Sequence, residues 1–310
     1  MAGNPASDSA GRGEGVAGFA LVAVLLFLLI VSAVITPFVL AARTDFLLSS
    51  RQYLIVRQQM LARGVAQAIA RQIAGRDTVA IAELKLDSEP MRVRCGPHDL
   101  TIVAQDQAGL ADLNTSPRGL LEAGFLALGF SAGDAANLAD AAVAYRSPQG
   151  GGGGGANRLV PAGLKHFPFD AIEELYEFEG MAGMAPGTLR RVMTVYNRSA
   201  VIDPDAYSPA LRRVLPDNPT SRHPYVSAAP LPLVYAMVSV EVVDPDLGVR
   251  GYWGGYFEFP EAEAGFKLME PASDSVLLVN APRALSEPFV ATDECAAIVG
   301  PGVANWLANR

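Results

Sequence analysis

No Cys-x-x-Cys pair, no histidine pair at metal-site spacing and no excess of basic charge occurs in this sequence. The 2 cysteines, Cys95 and Cys295, lie far apart, and the 3 histidines, His98, His166 and His223, stand singly. That excludes zinc-finger cages and paired-histidine metallohydrolases, whose ligands recur at short fixed spacings. Acidic residues outnumber basic ones, 32 to 24, for a formal net charge of -8. Such a chain lacks the single-sign basic field by which proteins hold nucleic acid. The glycine run Gly150 to Gly155 has neither a preceding strand nor a following Gly-Lys-Ser/Thr, so it reads as a link between segments and not as a phosphate loop.

What the chain does have is one long apolar run. Phe19 to Ala42 holds no charged residue, and as a helix it would measure about 36 Å, enough to cross a hydrocarbon core of about 30 Å. A secretory signal has a shorter apolar region, roughly 7 to 15 residues, which favours an anchor over a removed signal. Arg12 before the run and Arg43 after it balance each other, so flanking charge does not set the orientation. Pro37 falls late in the run, where a membrane helix tolerates the carbonyl it frees.

Past Arg43 the helical pattern continues with no strong breaker before Gly75. Leu47, Leu54, Leu61 and Ala68 recur every seven residues, with Val65, Ile69 and Ile73 beside them. This predicts one continuous helix that emerges from the apolar run and lays a stripe on a core. "MRVRCGPHDLTIVAQDQAG" predicts a hairpin about Gly96-Pro97. Helix starts follow at Ser116-Pro117, at Ser131 with Asp134 three residues on, and at Ser208-Pro209. "PFDAIEELYEFEGMAGMAPGTLRRVM" predicts two helices about a glycine-containing hairpin. From Val234, "VYAMVSVEVVDPDLGVRGYWGGYFEF" predicts a second hairpin, "DSVLLVNAP" another strand, and "CAAIVGPGVANWLANR" a terminal helix or coil. The order is therefore long helix, strands, helices, strands: an α+β fold with a helical insertion.

Candidate chemistry is sparse. "GFSAG" at Gly129 to Gly133 matches the nucleophile elbow by letters, yet that motif needs a strand before Ser131, and the preceding "LLEAGFLALG" is helical. Ser131 is expected to cap a helix, and the chain is not expected to be an enzyme. The carboxylates of Asp203-Pro-Asp205 and Asp244-Pro-Asp246 follow no calcium-loop pattern and read as solvated turn acids. The helix-hairpin-helix pattern is one that can hold DNA phosphates through hairpin amides. Here Glu173, Glu174, Glu177 and Glu179 crowd its first arm, which favours a structural or protein-binding use. Cys95 and Cys295 are either two buried thiols or, in an oxidising compartment, a long-range disulfide.

Taken in order, "GFALVAVLLFLLIV" after a glycine, the Ala/Arg-rich helix, "DLNTSPRGLLEAGFLALG", "LADAAVAYR" and "PFDAIEELYEFEGM" leading to "LRRVMTVYNRSAVIDPDAYSPALRRVL" resemble the minor pseudopilin K of type II secretion systems, the general secretion pathway protein K family. The resemblance implies a prepilin leader over 1–18, cut by prepilin peptidase between Gly18 and Phe19, with Phe19 becoming an N-methylated end. It implies a transmembrane stretch at 19–42 and a pilin-like helix with first strands at 43–110. An inserted α-helical domain, helix-hairpin-helix-like, would occupy 111–220, and the remaining strands 221–310. Most pseudopilins carry a glutamate five residues into the mature chain, and the K subunit does not; Ala23 stands there. Implied partners are the minor pseudopilins I and J in a tip complex that initiates and caps the periplasmic pseudopilus, on an inner-membrane anchor with the C-terminal domain in the periplasm. No cofactor is expected beyond the calcium some relatives bind, whose ligands are not identifiable in "SPQGGGGGGANRL", and no nucleic acid. The competing readings are a membrane-anchored helix-hairpin-helix protein that binds DNA, and another type IV pilin-like minor subunit.

Overall fold

The computed structural model describes residues 14–75, 84–148, 156–215, 224–260, 265–272 and 292–309. One helix, α1 (Glu14–Ala74), carries 61 residues without interruption, Pro37 included. The chain divides into two units, Met1–Leu54 and Ile55–Arg310, which are described separately.

In the first unit, α1 exposes nearly every side chain from Leu21 onward. Leu21–Ala74 contains a window apolar enough to cross a membrane, and none of that window is buried. Threonines and a serine on this segment turn their hydroxyls onto the carbonyl one turn back, as Thr36 does to Ser32 (2.7 Å) and Thr44 to Leu40 (2.9 Å). That removes polar hydrogens from a surface with few partners for them.

The second unit is built on a five-stranded antiparallel sheet. Its strands are β1 (Met91–Cys95), β2 (His98–Asp106), β5 (Tyr235–Asp244), β6 (Val249–Glu258) and β7 (Lys267–Ala272), in that spatial order. Alternate residues face α1: Leu100, Ile102 and Ala104 of β2 and Ala236, Val238, Val240 and Val242 of β5 share a core with Leu61, Val65, Ile69 and Ile73. The buried face of α1 is thus Leu61, Ala62, Val65, Ala66, Ile69, Ala70 and Ile73, spaced three and four apart. The sevenfold stripe does not persist, because a straight helix at 3.6 residues per turn drifts off a strict heptad. Leu47 is exposed and Ala68 only half-buried.

Gly251 decides how closely helix and sheet meet. A Cβ there would collide with the backbone of Gln58 and Gln59, so the absent side chain lets α1 lie directly on β6. Two short helices, α7 (Thr292–Val299) and α8 (Pro301–Ala308), cover β1. Cys95 on β1 and Cys295 on α7 form a disulfide across a sequence separation of 200, with their Cα atoms 5.6 Å apart. Among the described strands β7 lies at the edge of the sheet, and that position admits Pro271, which has no N–H to give a further neighbour.

Residues 107–234 run out from the end of β2 and return to the start of β5. They include β3 (Ala111–Asp112), α2 (Arg118–Ala127), α3 (Ala132–Arg146), α4 (Ala156–Leu159), α5 (Pro186–Arg190), β4 (Met193–Thr194) and α6 (Pro209–Arg212), with β3 and β4 paired in parallel. A separate core holds them, with Phe125, Phe178, Leu120, Leu121, Leu175 and Met181 among its largest fully buried side chains. Asp112 organises the entry: its carboxylate accepts from the amides of Asn114 (2.7 Å), Thr115 (2.9 Å) and Arg198 (2.9 Å).

Several sequence expectations change in detail. The first arm of the expected helix-hairpin-helix is a six-residue 3-10 helix, Ile172–Glu177, and the second a five-residue helix, α5. The apolar run there packs inward without helical length. Neither Ser116 nor Ser208 caps a helix through its hydroxyl, and both are buried. β7 was not foreseen, and the strand expected at "DSVLLVNAP" and the glycine run Gly150 to Gly155 lie outside the described residues.

Candidate functional site

The residues marked for processing sit on α1. Gly18 and Phe19 fall within its described backbone, their side chains outside the described set, and Ala23 is exposed one turn on. The leader residues 1–13 and His223 lie outside the described residues. Beyond the apolar run the helix still exposes large apolar groups, among them Phe46 at 72% and Tyr53 at 69%. Together with Leu47 and Leu48 they make a contiguous exposed apolar patch, the kind of surface that marks a protein or membrane contact.

Ser131 is the N-cap of α3. Its hydroxyl donates to Asp134 Oδ2 (2.7 Å) and accepts from the Asp134 amide (3.2 Å), and α2 precedes it where an elbow would need a strand. The Asp-Pro-Asp turns use their first carboxylate on their own backbone: Asp244 accepts from the amides of Asp246 and Leu247, and Asp203 from those of Asp205 and Leu231. Asp244 is the turn acid the sequence indicates. Asp203 differs, since it is buried and its second oxygen reaches across to Leu231 at 2.6 Å. Among the described residues no group of three or more His, Cys, Asp or Glu is placed to hold a metal.

Glu174 gathers the turn after Phe169. It accepts from Lys165 (2.9 Å), the amide of Asp170 (2.6 Å) and Tyr145 (3.0 Å). Burial pushes its carboxyl up, and these donors, Lys165 foremost, hold it below the usual range. Arg190 ties this region to the outer sheet face: it pairs with Glu173, donates to the Tyr256 hydroxyl at 3.3 Å and stands 5.5 Å from that ring's centre. Tyr196 stacks on Tyr256 at 4.7 Å, so the outer face of the sheet is covered by the insertion.

Two buried titratable groups escaped the sequence reading. Asp106, the last residue of β2, is pushed up to about 7, chiefly by burial and further by Asp203, against the one bond it accepts from the Ala108 amide. His98, the first residue of β2, is buried, and neither ring nitrogen has a hydrogen-bond partner among the described residues. Burial holds its imidazole below the ordinary 6.5; Arg57 adds to this, while Asp244 and Asp99 oppose it. Nothing in "GPHD" or "QDQAG" distinguishes these two from surface residues.

The folded state therefore favours neutral His98. The stability this carries is intact above the unfolded value of 6.5 and is lost as pH falls below it. Thermal unfolding followed by circular dichroism is expected to show the wild-type midpoint losing ground to that of His98→Leu as pH falls from 7 to 5, the comparison cancelling the opposite contribution of Asp106. A constant difference between the two midpoints would show that His98 contributes nothing to the pH dependence.

No family model and no curated protein matches this chain. Among solved structures, a chain from "The Crystal Structure of the GspK-GspI-GspJ complex from enterotoxigenic Escherichia coli Type 2 Secretion System" is similar to it at 10% identity, over 75% of this chain and 100% of that one, with a TM-score of 0.45. At that identity and score the likeness supports neither a family nor a partner.

Proposed function

We propose that this chain is a non-enzymatic minor pseudopilin of a type II secretion system, of the K kind. It would be held in the inner membrane by the first part of α1, with residues from 43 onward in the periplasm. The observation that carries the reading is α1 itself: one helix is apolar and exposed over a bilayer's length, then apolar on a single face against an antiparallel sheet. A plain anchor needs no continuation, and a plain core helix needs no exposed apolar turns ahead of it.

Processing between Gly18 and Phe19 by prepilin peptidase would keep the apolar run and expose a new amino terminus within it. Ala23 brings no carboxylate into the bilayer to meet a neighbour's terminal charge, which suits the first subunit of a fibre, since an unmatched charge there is costly. The Cys95–Cys295 disulfide suits an oxidising compartment such as the periplasm. The work of such a subunit is surface contact, with the minor pseudopilins I and J as its partners in a tip complex.

Mass spectrometry of protein extracted from membranes of a secreting cell is expected to find Phe19 as an N-methylated first residue, and I and J subunits co-purifying. Recovery of Met1 to Gly18 still attached in an actively secreting strain would count against the reading.

A further inference from the structure

The two chain crossings between the sheet and the helical insertion meet at one buried node. Outgoing, β2 ends at Asp106, whose Oδ1 accepts from the Ala108 amide at 2.9 Å. The Ala108 carbonyl accepts from the Asp203 amide (2.9 Å), and Asp203 Oδ2 accepts from the amide of Leu231 on the returning chain (2.6 Å). Gln105 Nε2 donates to the Ala206 carbonyl at 2.9 Å, and Gly109 lies so close to Ala206 and Tyr207 that no Cβ would fit. Asp106 also lines a cavity of about 100 Å³ with Tyr196, Asn197, Ser199, Leu231 and Tyr235.

We propose that this node is a proton-sensitive hinge: protonated Asp106 lets the insertion dock against the sheet, and ionised Asp106, buried and facing Asp203, loosens the two crossings. The proton leaves to solvent. The charged group that bears on Asp106 is Asp203. Around them, Tyr235 of β5 and Tyr196 of the segment after β4 line the same cavity. Tyr235 in turn donates to Glu258 (3.0 Å), with Arg198 5.1 Å from its ring centre. The Arg212–Asp87 pair (3.2 Å) lies beside the partner strand segment of Gln105. No cation is bonded to Asp106 to hold its charge among the contacts of the described residues.

The direction follows from linkage. Burial raises Asp106 in the docked state from 3.8 to about 7, and an opened state hydrates it. Docking is then strongest at acid pH and weakens as pH rises toward 7, beyond which it changes little. Local opening of this kind is read by hydrogen exchange.

The test uses the full chain in detergent micelles, with amide protection corrected for the intrinsic pH dependence of exchange. Between pH 5 and 7.5, protection at Ala108, Asp203 and Leu231 is expected to fall on the order of 50-fold, while that of Val240 and Val242 in the sheet holds. Asp106→Asn is expected to abolish the fall. A flat wild-type profile, the same fall in Asp106→Asn, or a parallel loss in the sheet amides would overturn the proposal. Should that variant not fold, wild-type difference infrared spectra are expected to lose a protonated-carboxyl band with the midpoint seen in exchange, and absence of that band overturns it equally.

Discussion

Replacing both Cys95 and Cys295 by alanine is expected to lower the stability of the second unit by about 3 to 5 kcal/mol, seen as a fall of roughly 10 °C in its unfolding midpoint. The bond joins residues 200 apart, and a loop of that length loses much conformational entropy in the unfolded chain when it is closed. Both sulfurs are buried between β1 and α7, so removing them also leaves a small cavity. Among the described strands β1 lies at the edge, held on one side by β2 and over its face by α7 and α8. Losing the tether should therefore release the C-terminal helices first, with exchange protection at Ile298 and Leu307 dropping before that at Val240. Calorimetry of wild type and variant measures the first effect, and coincident midpoints would show the bond to be thermodynamically idle.

The second large effect concerns Gly251. Its missing side chain lets the backbone of α1 at Gln58 and Gln59 rest on β6. Backbone cannot step aside as a flexible side chain does, so Gly251→Ala must part helix from sheet and disturb the packing of Leu61 and Val65. The expected loss is about 3 kcal/mol or more. Gly64, on the same helix with nothing within 4 Å of its would-be Cβ, provides the contrast. Gly64→Ala is expected to stabilise by about 0.5 to 1 kcal/mol through helix propensity alone. Urea unfolding of the two variants should move the midpoint in opposite directions, and a neutral Gly251→Ala would refute the close-contact reading.

What the sequence displayed and what it hid divide along physical lines. Features carried by periodicity were legible: the helix through Ala74, the hairpin at Gly96-Pro97, where the alternation of Leu100, Ile102 and Ala104 sets the buried face, and the hairpin that turns between Asp244 and Val249. Ser131 was legible as a cap because its partner Asp134 is local. The 3-10 helix at Ile172 hid, because apolar residues at helical spacing fit a long α-helix and a short 3-10 helix equally until the core around Phe178 and Leu175 chooses. β7 hid behind Pro271, which only an edge position accommodates. Asp106, Asp203 and His98 hid most completely, since their environment is made by residues up to half the chain away.

The connection from β2 to β5 bears on how this chain reaches its fold. Asp106 and Ala236 sit opposite each other in adjacent antiparallel strands, where a tight turn would ordinarily suffice. An unstructured loop of the intervening length would delay their meeting, since contacts between distant residues form slowly. The intervening residues have their own core, with Phe125, Leu120 and Leu175 in it. Once that core collapses, the node of Ala108, Asp203 and Leu231 brings the two ends side by side, and the search for strand register becomes a local one. The helical insertion thus gives the sheet an ordered connection in place of a long open loop, which lowers the closure cost of pairing β2 with β5.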